Sequence, residues 1–130
     1  MAWDLDDRFK TKANREILAF IQDKNPSAHS DIVDLLIRSA EGLPHVRWYC
    51  PNKWQYAYTV LHTNKYIIFG IAFGMSSIAF QLPVDWIPEA MVARGVPCYL
   101  SMSEAWVVWE GAWSANLKPW CRAAHDHAWR

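Results

Sequence analysis

The sequence predicts an α+β domain: an antiparallel β-meander of about 4–5 strands with N-terminal helices and a C-terminal helix packed on it. Three observations predict it. Apolar residues recur at helical spacing near both ends of the chain. The middle is rich in β-branched and aromatic residues punctuated by turn residues. The strands cluster between the helices instead of alternating with them, which disfavours a doubly wound parallel sheet.

Asp4 to about Gln22 reads as an amphipathic helix, with Leu5, Phe9, Ala13, Ile17, Phe20 and Ile21 on one face. Asp4, Asp6 and Asp7 suit the positive end of its dipole. Asn25-Pro26-Ser27 breaks the chain, and Ser27 or Ser30 then caps a second helix to about Glu41. Gly42 stops it, followed by Pro44. Strands follow at Val46–Cys50, Gln55–Leu61, Tyr66–Phe73 and Ser77–Leu82, with turns at Asn64-Lys65 and Gly74-Met75-Ser76. Strict alternation places Ile67, Phe69, Ile71 and Phe73 on one face, opposite Ile78, Phe80 and Leu82. It leaves Ile68, Gly70 and Ala72, opposite Ser77, Ala79 and Gln81, as a small-residue face open to close approach. Pro88 to Arg94 reads as a short helix, Pro97–Leu100 and Ala105–Trp109 as further strands. Asn116 to Trp129 is the last helix, burying Leu117, Trp120, Cys121, Ala124 and Ala128.

Residues 1–130 read as a single domain, since no linker, repeat or low-complexity tract divides them. At 52% hydrophobic and 20% charged, the chain can bury a core without disulfides or a metal, which excludes a disordered chain. Thirteen basic residues balance thirteen acidic ones, so global charge argues against a general nucleic-acid binder. Cys50, Cys98 and Cys121 form an odd set with no zinc spacing, and the acidic start lacks a signal peptide's apolar core. A reduced, cytoplasmic protein is the simplest reading. The uncharged run between Lys65 and Asp85 is broken by Gly74-Met75-Ser76-Ser77 and carries strand-forming residues, so no membrane span is expected.

From Ser77 onward the order of features carries a resemblance. Ser77-Ile78-Ala79-Phe80-Gln81-Leu82-Pro83 is a strand leading to a short helix. Gly95-Val96-Pro97-Cys98-Tyr99-Leu100 leads to Ala105-Trp106-Val107-Val108, and a final helix carries Leu117, Trp120, Ala124 and Ala128. This C-terminal half resembles the small MmcQ/YjbR proteins. The resemblance implies a CyaY-like, double-wing fold. It brings no functional residue, because the DNA binding suggested for that family rests on its fold.

The chemistry-bearing residues are sparse. Cys121 and His125 share a helix face, with His127 on the same turn and Cys98 within loop reach. Together they would make a zinc site, although no Cys-x-x-Cys accompanies them. Nothing sets a base beside Cys50 or Cys98, or pairs Asp85, Glu89, Glu104 or Glu110 in one cleft. Gly70 and Gly74 sit in a hairpin, not in a phosphate loop. Arg8, Lys12 and Arg15, with Lys10, form a basic stripe that could meet phosphates or simply face solvent.

Nine tryptophans are the outstanding feature. Trp48, Tyr49, Trp54, Tyr56 and Tyr58 crowd together, flanked by Arg47 and Lys53, and Trp106, Trp109 and Trp113 recur later. Aromatics with interspersed arginine are typical of binding surfaces, and a large aromatic core is the alternative. The sequence therefore predicts a small intracellular, non-catalytic binding module without a cofactor. Arg47, Trp48, Trp54, Tyr56, Tyr58, Trp106 and Trp109 are its candidate binding residues, for a protein or a small-molecule ligand, with a homodimer as one version. A nucleic-acid-binding regulator and a small metal-dependent enzyme are the alternatives.

Overall fold

The computed structural model describes residues 7–51, 57–93, 96–97 and 105–129. Its elements are α1 (Arg15–Lys24), α2 (Ser30–Ser39), β1 (Val46–Tyr49), β2 (Thr59–Thr63), β3 (Ile68–Phe73), β4 (Ser77–Gln81), α3 (Ile87–Val92), β5 (Val96–Pro97), β6 (Trp106–Trp109) and α4 (Lys118–Trp129). The strands form a six-stranded antiparallel sheet in the order β1-β2-β3-β4-β6-β5. The α+β class and its meander are thus as the residue pattern requires.

Both faces of the sheet are covered. On one, Ile32 and Leu36 of α2, Ala90 of α3 and Cys121 and Ala124 of α4 pack on Leu61, Ala72, Ile78, Phe80, Val107 and Trp109. On the other, Phe9 and Ile17, Phe20 and Ile21 of α1 pack on Val60, Ile68, Ile71, Phe73, Ala79, Trp106 and Val108. An aromatic chain runs outward through the first face. Phe80 meets Trp109 (6.2 Å between ring centres), Trp109 meets Trp120 (5.3 Å), and Trp120 meets half-exposed Trp86 (5.7 Å).

The alternation expected along β3 is corrected by a β-bulge. Leu61 pairs with Gly70 but His62 pairs with Ile68, leaving Phe69 as the extra residue. Phe69 and Ala72 consequently share one core and Ile68, Ile71 and Phe73 the other. The small-residue face does not exist: Gly70 and Ala72 pair with Phe80 and Ile78, and Ile71 and Phe73 with Ala79 and Ser77. A Cβ on Gly70 would lie 3.1 Å from two carbons of the Phe80 ring. Gly70 is small to seat Phe80, not to admit a partner.

The first helix also differs from expectation. Described structure before α1 is two single 3-10 turns, Asp7–Phe9 and Lys12–Asn14, and residues 4–6 lie outside the described part. The buried Asn14 side chain explains the break. Its Nδ2 donates to the carbonyls of Phe9 (2.8 Å) and Tyr66 (2.7 Å), and its Oδ1 accepts from Ile68 N–H (2.8 Å). Phe9 is turned into a cluster with Tyr49, His62 and Tyr66 instead of sitting on a helix face. No helix among the described residues is long and apolar enough to cross a membrane.

Candidate ligand-binding site

The structure divides the predicted binding residues. Tyr58, Trp106 and Trp109 are 0%, 1% and 2% exposed, so they are core and present no surface. The cause is that helices cover both faces of the sheet and leave its central strands without a solvent side. Trp54 and Tyr56 lie outside the described residues. Arg47 and Trp48 are exposed on β1, at the edge of the sheet, Trp48 at 59%.

Trp48 pairs with Leu61 and so faces the α2 side, whereas Arg47 pairs with His62 and faces the other. The α1–α2 connection is bound onto the sheet beside Trp48. Tyr58 N–H donates to Pro26 O (3.2 Å), Gly74 N–H to Ser27 O (2.6 Å) and His29 N–H to Gly74 O (2.9 Å). His29 then caps α2, its Nδ1 accepting from Asp31 N–H at 3.1 Å. Ser30, Val33 and Asp34, at helical spacing, consequently form one wall of a cavity of about 200 Å³ whose other walls are Ala28, Trp48, Cys50, Ala57 and Thr59.

Thr59 is the distinctive member. It is fully buried, and its Oγ1 finds no hydrogen-bond partner, the one such side-chain atom among the described residues. A buried hydroxyl left unpaired costs about 1–3 kcal/mol. The residue is part of the wall of a mostly apolar cavity that Trp48 also lines, the composition of a small-molecule site, with the hydroxyl itself sealed within that wall. Nothing in local residue order marks Thr59, Val33 or Asp34 as site residues. The available signal was a hydroxyl at the same strand parity as core-facing Leu61.

A larger cavity, about 450 Å³, lies along α4 between Trp86 and the end of α2. Its charged lining of Glu41, Lys118, Arg122 and Asp126 is exposed, and its buried Ser39 already donates to Leu36 O at 2.6 Å. No unmet group there asks for a ligand, so size alone favours it.

On the opposite face, Arg8, Arg47 and Tyr66 surround buried His62. Its ring stacks on Tyr66 at 5.2 Å, and Arg8 lies over Tyr66 at 4.5 Å from the ring centre and donates to its hydroxyl. His62 Nδ1 is 2.7 Å from the Thr63 carbonyl, which only accepts, so Nδ1 carries the proton. Burial lowers the His62 pKa, Arg47 and Arg8 lower it further, and the bond to Thr63 opposes them. Because the folded state holds this proton less tightly than the unfolded chain, stability is complete above the unfolded value of about 6.5 and falls as pH drops toward the folded one. Urea midpoints measured from neutral to mildly acidic pH should fall less steeply for His62→Gln than for the natural protein. One proton limits the difference to about 1.4 kcal/mol per pH unit. Equal slopes would contradict the assignment. Lys12 and Arg15 of the basic stripe are exposed, with Arg8 engaged by Tyr66.

Of the proposed zinc ligands, Cys98 lies outside the described residues, and among the described residues no three His, Cys, Asp or Glu side chains are grouped to hold a metal ion. Cys121 is fully buried in the core, and its thiol is pushed up to about 12 by burial, against the bond to Ser39. His125 Nε2 lies 2.9 Å from Pro44 O and its Nδ1 3.1 Å from Asp126 Oδ1, and His127 is exposed. Alkylation of the folded protein at mildly alkaline pH should modify half-buried Cys50 and spare Cys121 until denaturant is added, as peptide mass mapping would show. Early labelling of Cys121 would contradict its place in the core. No family model, curated protein or solved structure matches the chain.

Proposed function

We propose that this chain is a small, non-catalytic binding module that takes a small-molecule ligand into the cavity beneath Trp48. The unpartnered hydroxyl of Thr59, a residue in the wall of that cavity, carries the reading, because a ligand group pressing into that wall would supply the hydrogen bond the protein lacks. Exposed Trp48 supports it as a wide, rigid contact surface with one donor. The free thiols of Cys50 and Cys121 suit an intracellular, reducing location. The likeness to MmcQ/YjbR proteins adds no residue to the site.

The test is ligand-detected NMR of a fragment collection against the natural protein and Trp48→Ala. The reading expects binders whose signal is lost in the variant while its fold persists. Binders indifferent to Trp48, or no binders, would count against it. Self-pairing is the second version, favoured by the position of Trp48 on an edge strand. It predicts a concentration-dependent dimer in light scattering that Trp48→Ala abolishes. Charged Arg47 beside Trp48 works against such pairing.

A further inference from the structure

Resting on that reading, we infer that the ligand is an amphiphilic amine: an ammonium group on a compact apolar body that ends in a hydrogen-bonding group. Three features of the cavity set these requirements. Asp34 is the one charged residue among the described lining residues. It makes no ion pair with a described residue, and Arg38, one turn on, donates its Nε–H to the Asp34 backbone carbonyl at 3.4 Å. An anionic ligand would be repelled by Asp34, whose charge the nearby Arg38 offsets only in part, whereas a cation gains a charge-assisted partner.

Exposed Trp48 lines the same mouth, and an indole face is the best aromatic surface for an ammonium. The apolar walls, Ala28, Val33 and Ala57, fit a hydrocarbon or aromatic body and offer it no hydrogen bond from their side chains. Thr59, buried among them, has a hydroxyl that both donates and accepts, so it matches a hydroxyl or carbonyl on the ligand's buried end. The charge therefore belongs at the exposed rim, where desolvation is small, and the neutral polar group at the buried end.

Four probes of nearly equal shape separate these requirements by titration calorimetry: tyramine, phenethylamine, 4-ethylphenol and 3-(4-hydroxyphenyl)propionate. Tyramine should bind best. Loss of its ammonium, in 4-ethylphenol, should weaken binding about tenfold. Loss of its hydroxyl, in phenethylamine, should weaken it about fivefold. The propionate should bind worst. Asp34→Asn should abolish the preference for tyramine over 4-ethylphenol, and Thr59→Val the preference for tyramine over phenethylamine. If tyramine and 4-ethylphenol bind equally to the natural protein, the amine inference is overturned and the cavity remains a site. If none of the four binds in the millimolar range while each variant is folded, the cavity is no site for such ligands and the reading beneath the inference falls with it.

Discussion

Replacing Trp109 with alanine is expected to destabilise the protein by about 3–5 kcal/mol, the range for truncating a buried aromatic side chain. Trp109 is 2% exposed, lies against Phe80 and Trp120, and donates its indole N–H to the Ala93 carbonyl at 3.0 Å. Truncation opens a cavity in the middle of the aromatic chain and strips that carbonyl of its partner. A domain's whole stability is about 5–15 kcal/mol, so the variant stands near the folding limit. Trp109→Phe keeps a ring and loses the N–H, and should fall between the two. The matched control is Trp48→Ala, where removal of an exposed indole should shift stability by no more than about 0.5 kcal/mol. Urea unfolding of the three variants checks both values. Similar losses at Trp109 and Trp48 would contradict the division into core and surface tryptophans.

Asn14→Ala should cost about 3 kcal/mol, although the side chain removed is small and polar. Asn14 is fully buried and serves three backbone groups on two distant segments: Phe9 O, Tyr66 O and Ile68 N. Tyr66 is held at φ 62°, a left-handed conformation that side chains other than glycine rarely adopt. Loss of Asn14 frees the Tyr66 carbonyl and so loosens the platform on which His62 stacks and over which Arg8 lies. Asn14→Asp tests the direction of the bonds. It keeps an acceptor for Ile68 N–H but sets a carboxylate against two carbonyls, so it should be no milder than alanine. Denaturation of either variant with a loss below about 0.5 kcal/mol would contradict the role.

The contrast between these residues shows what the sequence made legible. Helix periods, strand runs and their punctuation depend on local residue order, so α2, α4 and the β1–β4 meander could be read directly. The bulge at Phe69 could not, because it is a matter of how β3 registers on β2, which depends on residues distant along the chain. The late start of α1 was hidden for the same reason: Asn14 is drawn to Tyr66 and Ile68, far along the chain. At the site, composition flagged Arg47 and Trp48, which the fold leaves exposed. It also flagged Tyr58, Trp106 and Trp109, because an interior aromatic and a surface aromatic look alike until the helices are placed. Thr59 escaped notice because its importance is an absence of partners, which is a property of packing.

The most direct test of the central claim is the unfolding free energy of Thr59→Val without ligand. The substitution preserves shape and replaces only the hydroxyl. If that hydroxyl is kept for a ligand, the variant should be more stable than the natural protein, by about 1 kcal/mol, while binding is weakened. A variant less stable than the natural protein would mean that the hydroxyl already serves the fold, and the cavity beneath Trp48 would lose its claim to be a binding site.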